Sequence, residues 1–138
     1  MLFELASNWA VPLSLMKSSK VPLVHAPLEQ WFAAQQWTPQ PFQRDMWNAC
    51  AQGQNGLLQA PTGSGKTYAA MGHVMAAHAA RGSSSPSGLK LLWIAPLRAL
   101  SADIADAARR MAAGLELDWE VGLRTGDSSS KVKAQHKK

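Results

Sequence analysis

Three features of the sequence predict an α/β fold, a parallel sheet flanked by helices. Apolar runs at 57–60, 89–96 and 115–121 alternate with Ala-rich stretches of helical period, giving the order strand–helix–strand–helix–strand. The middle run, LKLLWIAP, is nearly unbroken, as in a strand covered on both faces. The last, LELDWEV, alternates apolar and acidic residues, the period-two pattern of a strand with Glu116, Asp118 and Glu120 on one wet face.

Residues 1–26 show no clear period. Pro12, Pro22 and Pro27, with KSSK among them, mark an irregular lead-in. LEQWFAAQQ, 28–36, reads as a short helix closed by WTPQP. From Pro41 a second helix begins with Pro in its first turn. Its predicted apolar face is Phe42, Met46, Ala49 and Cys50, and Gly53 and Gly56 close it. A third helix is predicted over 66–80. RGSSSPSG, 81–88, has the composition of a surface loop. A fourth helix over 99–113 places Leu100, Ile104, Ala107 and Met111 on one face.

At 138 residues the chain fits one domain with its own core. Its composition, 46% hydrophobic and 17% charged, is globular. Cys50 is the single cysteine, so no intrachain disulfide can form. No apolar run is long enough to suggest a membrane span, and the apolar start contains Glu4 without an early Lys or Arg, which argues against a signal peptide. These features point to the cytoplasm. The net charge of +5 falls to +1 without Lys131, Lys133, Lys137 and Lys138, so it describes a basic tail rather than a basic domain.

The richest chemistry lies in LLQAPTGSGKTYAA, residues 57–70. Gly63 and Gly65 allow backbone conformations that turn successive N–H groups of Thr62, Gly63, Ser64 and Gly65 toward phosphate oxygens. The helix that follows adds its dipole at the same place. Lys66 can reach the β and γ phosphates, and the Thr67 hydroxyl can ligate Mg²⁺. The strict pattern GxxxxGK[ST] asks for Gly at position 60, where this chain has Ala.

APTGSGKT resembles motif I of the superfamily 2 helicases of the DEAD/DEAH-box type, which commonly begins with Ala. Three more segments agree in order and spacing. WTPQPFQ, 37–43, resembles the adenine-recognising Q motif, with Gln43 lying 23 residues before Lys66. A Gln amide both donates and accepts, so it can pair with adenine N6 and N7. APLRAL, 95–100, resembles motif Ia, and RTGD, 124–127, resembles the later Thr-Gly element. Across residues 28–138 the chain is most similar to the large helicase-related proteins, and within them to the ligase-associated DEXH-box DNA helicases. The resemblance implies an incomplete RecA-like P-loop NTPase domain over residues 27–138, the first of two motor domains. It implies ATP and Mg²⁺ as cofactors and single-stranded DNA as the partner of the intact protein. DNA-repair proteins, including a ligase, are implied as further partners. It also implies that Pro96, Arg98, Thr125 and Gly126 contact the nucleic-acid backbone, contacts that position a strand without reading bases. Taken by themselves, an Arg near a helix start and a Thr-Gly-Asp turn are better explained as solvated surface.

Hydrolysis in that family needs an Asp-Glu pair and arginines from a second motor domain. No two acidic residues are adjacent in this sequence, so the chain reads as ending before motif II. The expectation is a nucleotide-binding piece of a longer ATP-dependent helicase, marginally stable because sheet edges stay uncovered. A small non-hydrolysing nucleotide-binding module and an inactive product of an interrupted gene are the alternatives. His73 and His78 are five apart on a helix and complete no metal site. Trp93 and Trp119 are predicted to pack in the core, while Trp31, Trp37 and Trp47 surround Gln43 and either support it or border the adenine.

Overall fold

The computed structural model describes residues 2–3, 23–82 and 88–125. The order is β1 (Leu2–Phe3), a 3₁₀ turn (Leu23–His25), α1 (Ala26–Ala34), α2 (Pro41–Ala51), β2 (Gly56–Leu57), α3 (Lys66–Arg81) and α4 (Arg98–Gly114). All four helices are found, but α1 lies two residues earlier than the 28–36 expected, taking Pro27 into its first turn. The chain's punctuation explains their ends. After α2, Gly53 takes φ +70°, its N–H donates to the Cys50 carbonyl and that of Gln54 to the Ala49 carbonyl. This is the Schellman pattern, in which a left-handed residue satisfies the last carbonyls. The same pattern closes α1 at Gln36 (φ +60°) and α4 at Glu116 (φ +54°), two positions where a side chain tolerates the conformation glycine favours.

α3 is the central element, with every residue from Ala69 to His78 buried. α1 and α2 pack on it through Leu28, Phe32 and Trp47, and α4 through Ile104, Ala108 and Met111. Close approach is achieved by omitting a side chain. A Cβ on Gly72 of α3 would lie 2.6 Å from Trp47 Nε1, and one on Gly114 of α4 would overlap the Trp31 indole. α2 is rotated relative to the predicted face. Gln43, Met46, Trp47, Cys50 and Ala51 are buried, whereas Phe42 and Ala49 are half-buried. The rotation lets Trp47 sit over Gly72 and turns Gln43 inward. Leu100, expected on the inner face of α4, is exposed.

The expected parallel sheet is not found. Among the described residues the single pairing is antiparallel and two residues long, Leu2 with Leu57 and Phe3 with Gly56. The fold is predominantly helical, and the incomplete RecA-like architecture is thereby corrected. The three segments read as strands form no ladder with one another. Apolar pattern reports which side chains are buried; a sheet also needs neighbouring backbones in register, which pattern does not encode. The alternation itself survives as burial. In 115–121 the odd positions pack inward, and Glu116, Asp118 and Glu120 are exposed. The run at 89–96 is one-sided rather than covered on both faces. Leu91, Trp93 and Ala95 lie against the helices, while Leu92 (70% exposed) and Ile94 (85%) face outward.

One polar contact is built into the core. His25 Nε2 and His73 Nδ1 are 3.0 Å apart, and both rings are buried. His73 Nε2 is buried without a partner among the described residues. A buried N–H left unbonded is costlier than an unused lone pair, so we place the shared proton on His73 Nδ1, donating to His25. Burial lowers both imidazoles to about 4; for His25 Glu29 opposes the shift, and for His73 the His25 and Arg81 charges add to it. The unfolded chain then binds more protons than the folded one between about pH 6.5 and pH 4. The stability present above pH 6.5 is therefore lost as pH falls through that window, by an expected few kcal/mol for the pair. Urea midpoints measured from pH 7.5 to 4.5 check this. A His73→Gln chain should show a shallower fall, and an unchanged slope would refute the assignment.

Candidate nucleotide site

The loop between β2 and α3 is organised around one carbonyl. Pro61 O accepts from the Ser64 amide (3.4 Å), Ser64 Oγ (2.7 Å) and Lys66 Nζ (2.5 Å). Lys66 Nζ also donates to Ala60 O at 2.7 Å. Gly63 (φ +77°) and Gly65 (φ +85°) supply the left-handed backbone that folds 61–65 into this shape, and Gly65 is the N-cap of α3. The first amides of α3 have no acceptor within their own helix. The loop thus presents a helix start and a lysine together, the elements that hold a phosphate.

Gln43 joins this loop to α2. Its Oε1 accepts from the Gln40 amide at 2.8 Å, and its Nε2 donates to Gly65 O at 3.1 Å. The first bond belongs to the capping box that starts α2. The second pins the loop before α3, and a Cβ at Gly65 would fall 2.7 Å from Nε2. A carboxamide has two N–H groups and two lone pairs, so one of each remains beyond these bonds.

Gln43, Gly63, Ser64 and Gly65 line one cavity of about 420 Å³. Its opposite wall is Phe32, Gln36, Trp37, Thr38, Gln40 and Tyr68. The Schellman turn of α1 builds that wall. It returns the Trp37 amide to Phe32 O and sets the two rings 6.1 Å apart. Trp37 also leans on Tyr68 at 5.6 Å and remains 44% exposed. Of the three tryptophans expected around Gln43, Trp37 borders the cavity, whereas Trp31 and Trp47 are core. The volume lies in the range of small-molecule sites, with an aromatic side and a phosphate-loop side.

Lys66 and Thr67 stand on the first turn of α3, half-buried, at the edge of the same loop. Thr62 is exposed. Pro96 and Arg98 are exposed at the start of α4, and Thr125 is half-buried; none of the three lines the cavity. Gly126 lies outside the described residues. Tyr68, Phe32, Thr38 and Gln40 were not anticipated as lining residues. The signal available for Tyr68 was its place one turn into the helix after the phosphate loop.

Cys50 is buried and its thiol is pushed up to about 11, so it is a packing residue rather than a nucleophile. Among the described residues no group of three His, Cys, Asp or Glu could hold a metal ion, and no helix is long and apolar enough to cross a membrane.

The DEAD/DEAH box helicase family matches residues 40–138. The chain belongs to that family. It is 34% identical over 109 residues to the Lhr helicase/probable uracil glycosylase of Mycolicibacterium smegmatis, covering 72% of this chain and 7% of the relative. It is 30% identical over 136 residues to the Lhr helicase/uracil glycosylase of Escherichia coli, covering 86% and 9%. Against the ATP-dependent helicase Lhr-Core of Methanocaldococcus jannaschii it is 31% identical over 125 residues, covering 80% and 15%. The chain therefore spans between 7% and 15% of the length of these helicases. No solved structure matches it.

Proposed function

We propose that residues 27–138 are an ATP-binding part of a nucleic-acid-stimulated helicase motor. The observation that carries this reading is the cavity with Gly63, Ser64 and Gly65 on one side and Trp37 on the other, with Gln43 tied to both. Triphosphate sits against the amides of Thr62, Gly63, Ser64 and Gly65, with Lys66 as counter-charge. The Thr67 hydroxyl would be the protein oxygen that holds a nucleotide-bound Mg²⁺. The remaining N–H and lone pair of Gln43 meet adenine N7 and N6.

In the intact protein the coupled activity is ATP hydrolysis driving movement on single-stranded DNA in repair. Pro96, Arg98, Thr125 and Gly126 contact the strand's backbone. The finer assignment is to the ligase-associated DEXH-box proteins, with a DNA ligase as partner. Residues 27–138 by themselves would at most bind nucleotide, and weakly; hydrolysis draws on an acidic pair and second-domain arginines that stabilise the transition state.

Calorimetric titration of the 138-residue chain with Mg-ATP and Mg-GTP tests the reading. Saturable binding of Mg-ATP, tighter than Mg-GTP by about tenfold or more, is expected, because the O6 of guanine offers an acceptor where Gln43 needs a donor. No saturable binding of either nucleotide would overturn it.

A further inference from the structure

The Trp37 wall of the cavity is held by a device that neither the phosphate loop nor Gln43 supplies. Arg44, the residue after Gln43 on α2, spends all three guanidinium nitrogens on fixed partners. Nε donates to Glu29 Oε1 at 2.8 Å and Nη2 to Glu29 Oε2 at 3.0 Å, a two-point contact with a carboxylate on α1. Nη1 donates to the Pro39 carbonyl at 2.9 Å. Pro39 lies in the segment between α1 and α2, where its neighbours Gln36, Trp37, Thr38 and Gln40 line the cavity. That segment is tied at its start by the Schellman bonds of α1 and at its end by the capping box of α2. Arg44 is its attachment in between. Glu29 fixes the guanidinium plane, and the third nitrogen then holds the Pro39 carbonyl at a set distance. Two-point pairing of this kind constrains orientation as well as position.

We infer that Arg44, aligned by Glu29, is a positioning residue for the base-binding wall: it fixes the 36–40 segment so that Trp37 and Thr38 meet a nucleotide's base, and it leaves the phosphate loop untouched. The inference rests on the nucleotide-binding reading above and adds a division of labour within it. α3 builds the phosphate half of the cavity, Arg44 and Glu29 hold the base wall, and Gln43 touches both. A lysine cannot replace Arg44, since one ammonium lacks the planar geometry to bind both carboxylate oxygens and the carbonyl together.

The test compares two probes on the full 138-residue chain, Mg-ATP and Mg-tripolyphosphate, by calorimetry. Arg44→Ala and Arg44→Lys should each weaken Mg-ATP about tenfold, the loss equivalent to one charge-assisted hydrogen bond, while tripolyphosphate stays within about twofold. Glu29→Gln should weaken Mg-ATP in the same direction by less. Circular dichroism of each variant verifies that the helices remain. A variant that unfolds loses both probes equally, and the inference is then read from Glu29→Gln, which leaves the neutral carboxamide in place. Equal loss of both probes in a folded variant, or no loss of Mg-ATP, would overturn the inference and leave the nucleotide reading standing. Failure of the unaltered chain to bind either probe would overturn both.

Discussion

Lys66→Ala is expected to weaken Mg-ATP binding by on the order of a hundredfold, the loss of a charged donor bonded to a phosphate. The argument starts from what the ammonium does in the structure. It donates to Ala60 O and Pro61 O, both at the foot of the loop. These carbonyls sit on a half-buried and an exposed residue, so water replaces the lost bonds. The substitution should therefore cost under about 1 kcal/mol of stability. A large loss of affinity with an unchanged melting midpoint separates a ligand contact from a structural one. Lys66→Arg keeps the charge but carries a wider head, and should recover only part of the affinity. Equilibrium titration beside urea melts gives both numbers for each variant. If Lys66→Ala bound Mg-ATP as the unaltered chain does, the phosphate-loop reading would fail, whatever the loop's geometry.

The largest stability effect is expected at Trp47. Its side chain is wholly buried, packs edge-on to Phe32 at 5.5 Å, lies tilted against His25 at 5.9 Å, and covers the bare backbone of Gly72. Its Nε1 reaches the Tyr68 carbonyl only at 3.4 Å, a weak bond, so packing carries most of its contribution. Trp47→Ala opens a void where α1, α2 and α3 meet, at a cost of about 3–5 kcal/mol. Small domains hold only about 5–15 kcal/mol in all, so much of the chain's stability should go. Trp37→Ala is the matched comparison. That ring is nearly half exposed, and its removal should cost about 1 kcal/mol or less while weakening nucleotide binding. The two indoles should thus separate cleanly in a pair of urea titrations. A Trp47→Ala chain within 1 kcal/mol of the unaltered one would show that the three helices do not depend on this contact.

The helices were legible because their signals are local. Pro41 opens α2, Gly53 closes it, and the apolar spacing of Ile104, Ala107 and Met111 orients α4. The turn before α3 was legible for the same reason, since Gly63 and Gly65 take the left-handed backbone their sequence allows. What sequence could not supply is contact between distant residues. Gln43 turns inward to the Gly65 carbonyl 22 positions away, and Trp47 turns inward to a missing side chain at Gly72. Neither destination is marked in α2 itself. The His25–His73 pair spans 48 positions and joins a turn that had no period to a helix face that looked merely apolar. The strands failed similarly. LKLLWIAP promises cover on both faces, but only Leu91, Trp93 and Ala95 are partly covered, and no neighbouring backbone pairs with it among the described residues.

The first turn of α2 puts Gln43 and Arg44 side by side, one reaching the phosphate loop and the other the Trp37 segment. A single transient fraying of that turn would release both halves of the cavity together. Occupancy is thereby coupled to the closed state of a few amides, and a bound nucleotide would slow hydrogen exchange there in proportion to its concentration over its dissociation constant. Motion of that turn would loosen both walls at once, whereas loss of the Arg44 contact alone would loosen only the Trp37 side.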